Sequence, residues 1–199
     1  AIWENMVHMK ENIAENTKIL AVIKTDGYGH GGVPIAKMLE QLDFMFGYAA
    51  ATYEEAHVLR EAGVKKPILI LGYTFPYCYE ELIREEIRPA VYRRDTVEEL
   101  VAAAAKVGKK AKVHIKVDTG MGRIGITPDE EGLEFVRFLI EHPELEVEGI
   151  FTHFAKADEK DKEPTYQQIK LFRKMIDMLE ERGVSIPIHH CSNSAGIVD

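Results

Sequence analysis

Cysteine is scarce. Only Cys78 and Cys191 occur in 199 residues, with no C-x-x-C pair, which excludes a disulfide framework and a cysteine-rich zinc site and makes the cytoplasm the expected compartment. No run of about 18 apolar residues is present to span a bilayer. Residues 1–17, AIWENMVHMKENIAENT, lack the basic start and apolar middle of a secretory signal. Basic side chains are in the minority, 25 Lys and Arg against 33 Asp and Glu, for a net charge of −8. That balance excludes the basic face a general nucleic-acid binder needs to displace counterions from phosphate. No low-complexity linker or solenoid-like repeat divides the chain, so one domain over residues 1–199 is expected. A start at Ala1 rather than Met points to a processed or trimmed segment, and the first residues read as a helix entered midway.

What is present is an ordinary globular composition, 46% hydrophobic and 29% charged, enough apolar side chain to bury a core. Seven short apolar runs read as strands: 18–24, 43–49, 66–72, 88–92, 111–118, 145–153 and 186–190. Between them lie amphipathic stretches such as TYEEAHVLREAG, DTVEELVAAAAKVG and PTYQQIKLFRKMIDMLEERG, ending at Gly63, Gly108 and Gly183. Glycine there can take the left-handed helix-ending conformation at low cost. The next strand follows within a few residues, as in repeated β/α units with parallel strands.

Such units fit an open doubly wound sheet or an incomplete TIM-type (β/α)8 barrel with about seven units present. The polar residues favour the barrel. Lys24, Tyr28, His30, Tyr48, Tyr73, Asp118, Arg123, His153, His190, Asn193 and Ser194 all fall at or just after strand carboxyl ends, spread over most strands rather than at one crevice. In a barrel that edge is the catalytic face.

Lys24 ends an apolar strand and runs into Thr25-Asp26-Gly27-Tyr28-Gly29-His30-Gly31-Gly32. A lone lysine at a strand exit reads as a solvated, snorkelling side chain. In a low-dielectric barrel mouth its amine could instead form a Schiff base with an aldehyde. The run V-I-K-T-D-G-Y-G-H-G resembles the pyridoxal-phosphate attachment signature of alanine racemases. The resemblance implies that Lys24 carries the cofactor and acts as one of two catalytic bases, and that Tyr28 hydrogen-bonds the cofactor phosphate. Thr25 and Gly27 stand where small residues such as alanine are usual.

Three further motifs support the resemblance. K-V-D-T-G-M-G-R-I-G (Lys116–Gly125) taken alone is a tight glycine loop presenting an arginine to an anion, or a surface arginine on a turn. It matches the family's second signature, which implies that Arg123 contacts the cofactor phenolic oxygen and, with Met121, the substrate carboxylate. Lys116 is then the lysine that in many members is carboxylated on Nζ and holds that arginine. G-I-F-T-H-F-A places His153 just past a strand. A lone histidine there is usually structural, and the resemblance implies packing against the cofactor ring. In H-H-C-S-N-S-A-G (His189–Gly196), Asn193 or Ser194 would cap a helix, a setting equally suited to phosphate. The resemblance implies that Asn193 and Ser194 bind the cofactor phosphate and that His190 supports an arginine further on. His189 and His190 point to opposite faces of a strand and cannot share an ion, so no metal is expected.

The resemblance runs from about Lys18 to the last residue. It implies pyridoxal 5'-phosphate as cofactor and a small amino-acid substrate. It further implies a homodimeric full-length racemase interconverting L- and D-alanine to supply D-alanine for peptidoglycan. The family's first strand, eighth strand and C-terminal β-domain, with its second-base tyrosine, are expected to lie outside these residues, leaving the segment inactive alone. The alternatives are a serine or broad-specificity racemase and a non-catalytic pyridoxal-phosphate-binding regulatory barrel protein. The last usually lacks the Y-G-H-G and T-G-M-G-R runs.

Overall fold

The structure, a computed structural model, describes residues 1–198. All seven anticipated strands form: β1 (Ile19–Val22), β2 (Met45–Ala50), β3 (Ile68–Ile70), β4 (Ile87–Val91), β5 (Ala111–Lys116), β6 (Leu145–Phe151) and β7 (Ile188–His190). They lie in chain order in one sheet, each parallel to the next. Parallel neighbours require crossovers. These are supplied by α3 (Gly32–Leu39), α4 (Tyr53–Glu61), α5 (Tyr79–Arg84), α6 (Arg94–Val107), α7 (Glu130–Ile140) and α8 (Glu163–Glu180). A helix α1 (Ile2–Glu11) precedes β1, a short turn α2 (Lys24–Tyr28) follows it, and α9 (Ser194–Val198) follows β7. β7 begins later than the apolar run at 186–190 suggests, because Pro187 has no N–H to give to the ladder.

The seven strands make a curled half-barrel, the incomplete TIM-type fold. Among the described residues β1 and β7 are not paired with one another. The helices begin and end where local chemistry dictates. Thr52 Oγ1 accepts from Glu55 N at the start of α4 and Asp129 Oδ1 from Gly132 N at the start of α7, each satisfying a donor that the helix leaves unpaired. Gly63, Gly108 and Gly183 all take positive φ, as their positions predict. On α8 the buried side chains Thr165, Gln168, Phe172, Met175 and Leu179 recur at helical spacing, so one stripe faces the sheet.

Strand alternation divides the interior into two layers. The larger, between sheet and helices, takes Ile19, Ala21 and Ile23 from the first unit and Ala111, Val113, Ile115 and Val117 from the fifth. The smaller lies on the concave face and is built from Ala49, Leu69, Ala90 and Phe151, with Leu20 and Leu71 packed against it. The other residues of β5, including His114 and Lys116, therefore project to the concave side. Tyr48 does not join the polar residues at the mouth. It is fully buried in the outer layer and donates from its hydroxyl to Ala36 O at 2.7 Å, because Ala49, not Tyr48, has the inward parity on β2.

Candidate active site

At the exit of β1, Lys24 is half-buried, its Nζ 5.9 Å from the centre of the Tyr28 ring. The backbone then makes a left-handed turn: Thr25, Asp26, Gly27 and Tyr28 have φ of 51°, 52°, 61° and 54°. For each non-glycine residue this conformation costs roughly 1–2 kcal/mol, so surrounding contacts must impose it. Asp26 Oδ1 accepts from Gly32 N at 2.7 Å, and Gly31 N donates to Asp26 O at 2.9 Å. Glu55, at the start of α4, accepts from Thr25 N and from Ala51 N, both at 2.8 Å. His30 turns back, its Nδ1 3.2 Å from Gly27 O, while Tyr28 is exposed.

The exit of β5 is held by its own loop. Asp118 N donates to Ile126 O and Ile126 N to Lys116 O. Asp118 Oδ1 accepts from Gly120 N at 3.0 Å and Gly122 N at 3.1 Å. Burial opposes ionisation of Asp118, yet these N–H groups and Lys116 hold its carboxyl below the usual range. Gly125 is required here, since a Cβ would lie 2.5 Å from Asp118 N. The loop leaves Arg123 exposed and Met121 half-buried. Lys116 is only 2% exposed. Its Nζ donates to Val117 O at 2.7 Å and Ile124 O at 3.3 Å and sits 5.6 Å from the Phe151 ring centre. Burial above all, and Arg123 in addition, push its pKa down to about 8 against the pull of Asp118.

His153 follows β6. Burial, then the charges of Arg123, Lys116 and Lys24, lower its pKa, which favours the neutral imidazole. Lys24 stands at the exit of β1, whereas Lys116 and Arg123 belong to the exit of β5. Gln168 of α8 anchors the rim: Nε2 donates to Thr119 Oγ1 at 3.1 Å and His153 O at 3.0 Å, while Oε1 accepts from Ala155 N at 2.9 Å. Thr119 and Thr152 share a hydroxyl–hydroxyl bond of 2.7 Å. After β7, Asn193 Oδ1 accepts from Gly196 N at 3.0 Å, so Asn193 caps α9, leaving Ser194 in its first turn.

Beneath the mouth the barrel interior carries a chain of polar groups that strand-end reasoning does not reveal. Arg88 on β4 grips Glu148 on β6 with two bonds of 2.9 and 3.0 Å. Glu148 Oε2 lies 3.1 Å from His114 Nε2, and His114 Nδ1 lies 2.8 Å from His190 Nε2. His190 stacks on Phe151 at 4.6 Å and 6°. Burial opposes the Glu148 charge, but His114 and Arg88 hold its pKa near the bottom of the carboxylate range, at about 2. Burial and His114 press His190 down to about 3. His189 points the other way, into a surface crevice with Ile176 and Leu179.

Compared with known proteins, the chain matches the family model described as alanine racemase, N-terminal domain, over residues 1–199. The chain belongs to that family. It is 43% identical over 199 residues to the alanine racemase of Desulforamulus reducens, covering all of this chain and 54% of the relative. Against the alanine racemase of Clostridium perfringens it is 46% identical over 194 residues, covering 96% and 50%. Among solved structures, alanine racemase of Clostridium difficile 630 in complex with cycloserine superposes with TM-score 0.96 at 42% identity, covering 100% of this chain and 54% of that one. The Bacillus anthracis alanine racemase with bound L-Ala-P superposes with TM-score 0.90 at 36% identity, covering 100% and 51%. This chain thus spans about half the length of the alanine racemases it matches.

As a member of the alanine racemase family, the chain can be tested for its fit to pyridoxal phosphate on its donor set. An amine, a phenol, a guanidinium and an amide–hydroxyl pair (Lys24, Tyr28, Arg123, Asn193 and Ser194) follow the carboxyl ends of β1, β5 and β7. Such a set matches a ligand bearing an aldehyde, a phenolic oxygen and a phosphate, and the residues fit.

Proposed function

We propose that the protein containing this chain is a pyridoxal-phosphate-dependent racemase that interconverts L- and D-alanine. The observation that carries this reading is the placement of Lys24, Arg123, His153 and Asn193 at or after the carboxyl ends of β1, β5, β6 and β7 of one parallel sheet, in a chain that belongs to the alanine racemase family. Pyridoxal phosphate, when bound, supplies an electron sink that acidifies the Cα–H of an amino acid attached to it. The Lys24 amine would hold the cofactor through its aldehyde, and as a base it would take or return the Cα proton on one face. Tyr28, Asn193 and Ser194 would hold the phosphate, and Arg123, with Met121, would hold the phenolic oxygen and the substrate carboxylate. His153, whose pKa burial lowers, would pack against the cofactor ring. Lys116, once carboxylated, becomes an anion beside Arg123 and orients it. His190 would support an arginine further along the chain.

Racemisation needs a second base on the opposite face. In this reading it is a tyrosine outside these residues, contributed across a homodimer, and the 199 residues alone do not turn over alanine. The test is to incubate the full-length protein and its Lys24→Ala variant with pyridoxal phosphate, reduce with borohydride and map the modified peptide. Label at Lys24 together with Cα-deuterium exchange of alanine in deuterated water supports the reading. Label elsewhere, or exchange undiminished in Lys24→Ala, overturns it.

A further inference from the structure

Thr52-x-x-Glu55 at the start of α4 has the spacing of a capping box, in which the glutamate would reach back to the N–H of the capping threonine. Half of that arrangement is present: Thr52 Oγ1 accepts from Glu55 N at 3.4 Å. The Glu55 carboxylate goes elsewhere. Oε2 takes Ala51 N, just beyond β2, and Oε1 takes Thr25 N, which directly follows Lys24 and lies 30 residues away in sequence. The carbonyl on the other side of the same peptide, Lys24 O, accepts from Thr25 Oγ1 at 2.7 Å. The peptide after Lys24 is therefore held at both its N–H and its C=O. It opens the left-handed run Thr25–Tyr28, whose first residue is β-branched and least suited to positive φ.

We infer that Glu55 is a positioning residue for Lys24. By clamping the Lys24–Thr25 peptide to the end of β2, its carboxylate imposes the left-handed turn and so sets the direction in which the Lys24 side chain leaves the strand. The inference rests on the reading of Lys24 as the reacting amine. Glu55 touches neither cofactor nor substrate and acts only through the backbone.

The test uses the full-length protein, stripped of cofactor, and follows the rate at which added pyridoxal phosphate is captured at Lys24, read by borohydride trapping and peptide mapping. Glu55→Gln keeps size but sets an amide NH2 against one of the two N–H groups. Thr52→Ala weakens the same helix start while leaving the clamp intact, so it controls for loosening of α4. Capture in Glu55→Gln is expected to slow by about 10- to 100-fold, the scale of a misplaced reacting group, with little change in Thr52→Ala. Thermal melts accompany both. Capture in Glu55→Gln at the unsubstituted rate, or equal slowing in Thr52→Ala, overturns the positioning role while leaving the functional reading intact. No capture at Lys24 in the unsubstituted protein overturns that reading, and this inference with it.

Discussion

His114 Nδ1 and His190 Nε2 lie 2.8 Å apart, tying β5 to the last strand through side chains inside the barrel. The far side of His114 meets Glu148, which Arg88 grips with two bonds. An ionised carboxylate can only accept, so His114 Nε2 carries the hydrogen toward Glu148.

Removing one member should cost far more than removing the pair. Arg88 and Glu148 side chains are 8% and 14% exposed, and Glu148→Ala strands a buried guanidinium. We expect a loss of roughly 3–5 kcal/mol, largely restored in Arg88→Met/Glu148→Leu. Urea unfolding at neutral pH measures both. The pH dependence follows from the same groups. Folding depresses Glu148 from 4.5 to about 2 and His190 from 6.5 to about 3, so the unfolded chain binds more protons in those windows. The His190 contribution is complete above 6.5 and lost as pH falls toward 3. That of Glu148 is complete above 4.5 and lost toward 2. Urea midpoints should fall steadily on acidification, and Glu148→Gln should flatten the lower part of the curve.

Gly149 pairs with His114 in the sheet, and a Cβ there would stand 2.5 Å from His114 Nδ1. Gly149→Ala should displace the ring, break its bond to His190 and destabilise by about 1–3 kcal/mol, the usual cost of overpacking. A perturbed His190 imidazole resonance together with a lower unfolding midpoint would mark this. A change in stability without any change at His190 would count against the geometry.

Gln168 joins the rims of β5 and β6 through Thr119, His153 and Ala155. Gln168→Leu keeps the volume but leaves Ala155 N without its acceptor and Thr119 without its donor. A cost of the order of 1–3 kcal/mol follows from orphaned buried groups. Faster amide exchange should appear in the loop after Thr152 but not in α4.

Carboxylation of Lys116 requires the unprotonated amine, which burial favours by drawing the pKa to about 8. Protein in 13C-bicarbonate should show a carbamate resonance that grows as pH rises through that value and is missing in Lys116→Ala. A spectrum without that signal at any pH would leave Lys116 unmodified.

Much of this was legible along the chain. Seven apolar runs separated by amphipathic stretches with terminal glycines specify parallel β/α units, because strand length, helical period and positive φ are local properties. The residues after the strands, Lys24, Arg123, His153 and Asn193, could be singled out for the same reason: barrel topology assigns strand carboxyl ends to one edge. Tyr48 was misassigned because alternation leaves parity open until the strand is registered against its neighbours. A one-residue shift turns each side chain to the other layer.

What the sequence by itself determined is therefore the order and type of the elements and which side chains follow the carboxyl ends of the strands. The tertiary structure alone decided what lies behind them. Arg88, His114, Glu148 and His190 span 103 residues of chain, and neither their spacing nor their flanking residues suggest a common site. They meet because four strands place inward-pointing positions at one depth. Glu55 and Gln168 likewise read as ordinary helix residues. Their roles depend on carboxylate and amide groups reaching backbone brought near only when the sheet curls.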